Sequence, residues 1–189
     1  MMKLSKNKFA TALLLSFLCI SGCSQTPVGE LAAALSDEDN SVRYEAAKQL
    51  AKYGPEAVEA VDELAVTLAD PDPKVRYRSA KALSKIGIGA APAADSLVLA
   101  LNDADNETRY YLVKTLANIE DSAVGAIAEL KHILQSDSDP RNRYYAAKAL
   151  GKIGKEASDA TTALEAAGKD PDKKVRKAAG EALKKVRAS

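Results

Sequence analysis

The chain has 189 residues, with 27 lysines and arginines against 26 aspartates and glutamates, a formal net charge of +1. That balance excludes a pool of free positive charge for nucleic acid, which would need a segregated basic patch, and a hydrophobic content of 47% excludes wholesale disorder. Alanine fills 36 positions while aromatics make up 5% and tryptophan is absent, a mixture for closely packed helices rather than a β-sandwich.

Residues Met1 to Lys8 are basic, and Phe9 to Ile20 form an apolar run interrupted only by Thr11 and Ser16. The run is shorter than the roughly 20 residues a spanning helix needs. A basic start, a short apolar middle and small residues after it predict a secretory signal peptide over 1–22. The continuation Ile20-Ser21-Gly22-Cys23 resembles a bacterial lipobox. The resemblance implies diacylglycerol on Cys23, cleavage before it, and acylation of the new amine by a chain such as palmitate. Ser24 in place of Asp implies sorting to the outer membrane, facing the periplasm, in a Gram-negative cell. The alternative is an ordinary secreted protein with Cys23 as a free thiol. Cleavage leaves 167 residues with 24 basic and 26 acidic side chains, and removes Cys19, so no intramolecular disulfide can form. Residues 23–29 then read as a lipidated Cys and tether, with the membrane reached through acyl chains alone.

From there to the end the chain repeats itself. One phrase occurs five times: Asp37-x-Asp39-x-x-Val42-Arg43, Asp70-Pro-Asp72-Pro-x-Val75-Arg76, Asp103-x-Asp105-x-x-Thr108-Arg109, Asp137-x-Asp139-x-x-Asn142-Arg143 and Asp170-Pro-Asp172-x-x-Val175-Arg176. The leading aspartates are 33, 33, 34 and 33 residues apart. Each unit reads as two helices. Val42, Ala46, Leu50 and Tyr53 share one face of the first, which makes Tyr53 a core residue. Asp72 before Pro73 and Asp139 before Pro140 are helix starts, and Gly54, Gly87 and Gly154 are helix stops. Glu120 stands where the third unit should have its glycine, which predicts a less regular turn. The second helix is expected to bury Val58, Val61, Leu64 and Leu68, then Leu97 and Leu101, then Ile127, Leu130 and Leu134. Gly168 stands where the fourth unit should have its last leucine.

The Asp-x-Asp-Pro-x-Val-Arg phrase followed by Ala46-Ala47, Leu50 and Gly54 resembles HEAT repeats, in particular the short HEAT-like type of phycobilisome lyases. The resemblance implies an all-α, right-handed α-solenoid of about five helical hairpins over 30–189. The helix with Val-Arg would line the concave side and the Leu-rich helix the outside. It implies a truncated first unit with an outer helix at Glu30 to Leu35, and an unpaired inner helix at Lys173 to Arg187. It also implies a structural ladder pairing Asp37, Asp70, Asp103, Asp137 and Asp170 with Arg43, Arg76, Arg109, Arg143 and Arg176 between neighbouring repeats.

The polar residues offer little for catalysis. An EF-hand reading of the Asp-x-Asp pairs lacks the further oxygen ligands, the mid-loop Gly and the closing Glu. His132 is the only histidine, so no His-based metal cluster or two-His dyad can be built. It falls in a row with Val66, Leu99 and Ala166, away from the buried leucines, and reads as a surface residue. Some HEAT-repeat enzymes, the deoxyhypusine hydroxylases, bind iron through His-Glu pairs, but Ile133 follows His132 here. No cofactor, no metal and no catalytic residue are expected.

One polar pattern does stand out. Tyr44, Tyr77, Tyr110 and Tyr144 occupy the same position in four successive repeats, and Lys48, Lys81, Lys114 and Lys148 follow four residues later, one turn along the same face. Lys52, Lys85 and Lys152 extend the strip, and Tyr111 and Tyr145 widen it. Tyr44 lies about 160° around the helix from Val42 at 100° per residue, so it points away from the buried row. Lys177 and Glu181 break the pattern in the fifth unit. Two readings remain: rings stacked between helices under lysine stems, or a groove that grips a partner, with tyrosine supplying rigid contact area and lysine selecting acidic surfaces. The expected function is a lipid-anchored, non-enzymatic scaffold in the cell envelope, holding another envelope protein by an acidic or extended segment. The alternatives are a chromophore-handling protein of the lyase type and a binder of anionic glycan or lipid head groups.

Overall fold

The computed structural model describes residues 26–188. Among them there are ten α-helices and no strands: α1 (Val28–Ala34), α2 (Asn40–Tyr53), α3 (Val61–Val66), α4 (Pro73–Ile86), α5 (Ala94–Ala100), α6 (Asn106–Asn118), α7 (Ile127–Ser136), α8 (Pro140–Ile153), α9 (Thr161–Ala167) and α10 (Lys173–Arg187). The even-numbered helices are the long ones and carry the Val-Arg phrase. Each of α2, α4, α6 and α8 packs against the next even-numbered helix along its length, while the short odd-numbered helices touch one another sparingly. Among the described residues the chain is thus a two-layer α-solenoid, running from α1 in the layer of short helices (outer) to α10 in the layer of long helices (inner).

Each long helix begins the same way for a local reason. The carboxylate of Asp39 accepts from the Ser41 amide at 2.8 Å, Asp72 from Lys74 at 2.8 Å, Asp105 from Thr108 at 2.7 Å, Asp139 from Arg141 at 2.8 Å and Asp172 from Lys174 at 2.7 Å. Such a cap is worth about 1 kcal/mol. Pro73 and Pro140 occupy the first helical turn, where a missing N–H costs nothing. The helices end where Gly54, Gly87 and Gly154 take positive φ, of 60°, 74° and 74°, which glycine adopts without the steric cost of a Cβ. Glu120 is forced into the same region at φ 52°, and α6 stops a residue early, at Asn118. The irregular third turn expected from its missing glycine is what the backbone shows.

The core is a double spine of leucines. Leu31, Leu64, Leu97, Leu130 and Leu164 supply one from each outer helix, and Leu50, Leu83, Leu116 and Leu150 one from each of α2, α4, α6 and α8; all are 0–1% exposed. Burying each contributes about 2 kcal/mol. Alanines such as Ala46, Ala47, Ala80 and Ala147, all at 0%, let the layers approach closely.

Three expectations need correction. Val58 is 51% exposed, because residues Gly54–Ala60 form a 3-10 turn rather than the start of the second helix. Ile127 is only partly buried. Tyr53 is half-buried, and its hydroxyl donates to the Thr26 carbonyl at 2.6 Å, so it both packs and pins the segment leading into α1. His132 is exposed, in line with Val66 and Leu99 at 75% and 83%. Residues 1–25, with the expected signal peptide and Cys23, lie outside the described residues. The stretch Pro73–Ala100 is apolar enough and long enough to cross a membrane by composition, but it turns back on itself at Gly87 as α4 and α5.

Candidate partner-binding face

The Asp–Arg phrase forms four rungs, each joining one repeat to the next. Arg43 Nε donates to Asp70 at 2.6 Å, Arg76 to Asp103 at 2.5 Å, Arg109 to Asp137 at 2.9 Å and Arg143 to Asp170 at 2.7 Å. Arg43 and Arg143 add a second bond through Nη2, at 3.0 and 2.9 Å. The remaining nitrogen folds back on the arginine's own loop, as Arg143 Nη1 does to the Asp137 carbonyl at 2.9 Å. Each acceptor aspartate also takes its own loop's amide, as Asp170 takes that of Asp172 at 2.8 Å. One guanidinium therefore closes a loop and clamps the following one.

The clamp is reflected in ionisation. The Arg143 hydrogen bond leads in lowering the Asp170 carboxyl below its ordinary range, against the upward pull of burial. At Asp70 and Asp137 burial is the largest influence and pushes upward, but arginine and backbone hydrogen bonds together outweigh it and the net shift is downward. The ladder is cut at both ends. Asp37 has no preceding arginine, and its carboxylate accepts from the Asp39 amide. Arg176 has no following aspartate and donates to the carbonyls of Asp170 and Pro171. With capping and clamping, the Asp-x-Asp carboxylates are occupied within the fold, and no cluster of metal-ligating side chains occurs among the described residues.

On the same inner layer the tyrosines make a continuous zigzag. Tyr77 meets Tyr111 at 5.7 Å between ring centres, Tyr111 meets Tyr110 at 5.0 Å, Tyr110 meets Tyr145 at 5.5 Å and Tyr145 meets Tyr144 at 5.0 Å. The planes cross at 69–82°, the edge-to-face arrangement that aromatic quadrupoles prefer. Tyr44 joins through Arg78, whose guanidinium lies 4.9 Å from the Tyr44 ring and 5.3 Å from the Tyr77 ring and donates to the Tyr44 hydroxyl at 2.6 Å. The motif tyrosines are half-buried. Burial and the adjoining Tyr110 and Tyr144 push the Tyr145 phenol up to about 12. Tyr111 is likewise raised, by burial and by Tyr77.

The lysines lie over these rings. Lys48 is 6.0 Å from the Tyr44 ring, Lys81 is 5.7 Å from Tyr77 and 5.6 Å from Tyr111, and Lys114 is 5.7 Å from Tyr110. Lys148 departs from the pattern and sits 5.7 Å from Tyr145. Burial pulls the Lys81 ammonium down, but Tyr111 and Tyr77 beside it more than offset this and the net shift is upward. The face is therefore both stacked and charged: the eight expected tyrosines and lysines form one strip. Sequence reasoning missed Arg78. The signal was a column one residue past the motif tyrosine, reading Glu45, Arg78, Tyr111, Tyr145 and Ala178, of which Arg78, Tyr111 and Tyr145 reach back to the preceding repeat.

Two stretches, residues 28–101 and 94–184, match the family described as HEAT repeats. The chain belongs to the HEAT-repeat family. Solved HEAT-like and armadillo structures resemble it over most of its length. An engineered protein is 27% identical with a TM-score of 0.73, covering 84% of this chain and 78% of its own. The complex of CpcE and CpcF of phycocyanin lyase from Nostoc sp. PCC7120 is 25% identical with a TM-score of 0.68, covering 91% and 69%. A designed armadillo repeat protein in complex with the peptide (KR)4 is 22% identical with a TM-score of 0.74, covering 84% and 81%, and shares the fold. A comparison with curated proteins returned no relative. HEAT membership agrees with the phrase, the spine and the two-layer stack.

Proposed function

We propose that this HEAT-repeat chain is a non-enzymatic binding scaffold, held by lipid on Cys23 in the bacterial cell envelope. It grips another envelope protein through Tyr44, Tyr77, Tyr110 and Tyr144 with Lys48, Lys81, Lys114 and Lys148. The observation that carries the reading is the unbroken Tyr–Lys strip on the inner layer. Rings fixed edge-to-face need little further ordering on binding, and the lysines above them favour a carboxylate-bearing segment. The armadillo protein of the same fold is in complex with a basic peptide; the lysines of this chain's strip call for the opposite charge. A photoreactive residue at position 77 or 110, crosslinked in membranes, should capture one partner, and Tyr77→Ala with Tyr110→Ala should abolish the capture while helicity is retained. Undiminished capture by that folded variant refutes the face, and a chain recovered only in the soluble fraction removes the anchor.

The likeness to the phycocyanin-lyase complex motivates a second reading, a chromophore-handling protein. A flat visible spectrum after incubation with bilin would count against it.

A further inference from the structure

At three successive junctions the column one past the motif tyrosine supplies a planar group to the preceding repeat. Arg78 reaches Tyr44, Tyr111 reaches Tyr77 and Tyr145 reaches Tyr110. At the last junction the column holds Ala178. Tyr144 still meets Tyr145 within its own helix, but no ring comes to it from α10. A cavity of about 720 Å³ opens there, between α8 and α10, with Tyr144, Tyr145, Ala178 and Ala182 among its lining. This is within the range of pockets that hold small ligands.

The cavity does not come from splayed helices. Gly151 and Ala182 bring α8 and α10 so close that a Cβ on Gly151 would lie 2.8 Å from both Cα and Cβ of Ala182. The space stands where the column omits its planar side chain at Ala178, and it is larger than one ring, with room for residues that flank it. Its rim is basic, with six lysines and arginines against Asp172 and Glu181. Asp172 is engaged by the Lys174 and Val175 amides, and Glu181 lies 3.8 Å from Lys177. Arg141 is held by Glu107 and Asp139, and Lys152 by Glu120. Lys148, Lys174 and Lys185 make no ion pair among the described residues. The cavity at the other end of the strip is different: Asp72, Asp105 and Glu107 line it, and Arg78 fills the bridging position.

We infer that the last repeat junction is a socket for one aromatic side chain of the partner, flanked by aspartate or glutamate. The ring completes the zigzag against Tyr144, and the flanking carboxylates meet Lys148, Lys174 and Lys185. The inference rests on the binding-face reading above and names the partner's anchor.

The test uses the full chain and a fluorescein-labelled peptide with one phenylalanine between two pairs of glutamates, read by anisotropy. Replacing the phenylalanine by alanine, or the glutamates by lysines, should weaken binding at least about tenfold, as expected when a buried anchor or its charge complement is removed. Ala178→Tyr, which supplies the omitted ring, should block the peptide to the same degree without lowering the melting temperature. Equal binding by either altered peptide, or by a folded A178Y chain, overturns the socket. Should A178Y fold poorly, the exposed pair Lys174→Gln and Lys185→Gln serves instead, and unchanged affinity there also overturns it. If Y77A/Y110A loses the membrane partner while A178Y keeps both partner and peptide, the face stands and the socket falls. The reverse pattern keeps the socket and removes the wider face.

Discussion

Arg143→Ala and Arg176→Ala remove the same residue from the same motif but should differ several-fold in cost. Arg143 makes two charge-assisted bonds to Asp170, at 2.7 and 2.9 Å, and bonds to its own loop's carbonyls. The Asp170 side chain is 7% exposed. Truncating Arg143 leaves that carboxylate nearly buried with the Asp172 amide as its remaining hydrogen-bond donor. Stranding a buried charge costs 3–5 kcal/mol when water is fully excluded; with the rung open on one side, about 2–3 kcal/mol is expected. Arg176 is exposed and donates only to two carbonyls, so its loss should cost no more than about 1 kcal/mol. At 2–4 °C per kcal/mol for a chain of this size, R143A should lower Tm by about 5–10 °C and R176A by less than about 4 °C, measured by far-UV circular dichroism. Amide exchange should place the loosening of R143A in α9 and α10, because repeat stacks are stabilised junction by junction. Equal melting of the two variants would refute the claim that the clamp joins repeats rather than closing one loop.

Two further outcomes follow from the same rungs. The carboxyls of Asp70, Asp137 and Asp170 are lowered in the folded state, so their contribution to stability is fully present above the ordinary value of 3.8 and is lost as pH falls through the depressed folded values. Melts taken from pH 6 downward should be flat until about pH 4–5 and then fall, with R143A showing the shallower decline; an identical acid slope in both proteins would contradict this. Asn142 is 0% exposed with its Oδ1 unpartnered, where the second and fifth units have the buried valines Val75 and Val175. Asn142→Val removes the orphaned acceptor and leaves Asp137 its bonds to Arg109 and the Asp139 amide, so it should stabilise by about 1 kcal/mol and raise Tm by about 2–4 °C. A lower Tm would mean that the 3.1 Å bond from Asn142 to Asp137 matters more than the unpaired oxygen.

The parts of this structure that could be read from the chain are those written within one repeat. Asp72 capping Lys74, Gly87 at positive φ, and Leu64 and Leu83 in the spine each follow from residues a few positions apart. So does the outward direction of Tyr44, fixed by its angle from Val42. The Asp–Arg ladder between repeats was implied by the resemblance, but not its direction, Arg43 clamping the aspartate of the unit ahead; hidden too was that Tyr111 and Tyr145 insert between the motif tyrosines of successive units. Val58 was misplaced because helical periodicity was carried through a 3-10 turn, where side chains recur every three residues rather than 3.6. Ala178 carries no pattern of its own and acquires meaning only when its column is aligned with Tyr145 and Tyr111.

The rungs also bear on how such a molecule can change length. Each is made from an arginine of one unit and an aspartate that every following unit carries, so an extra hairpin could be spliced between α4 and α6 with its seams already matched. The socket depends on Ala178 and Gly151, which occur once. Duplication could therefore extend the ring-lined track without copying its terminus, leaving reach and selectivity free to evolve on separate schedules.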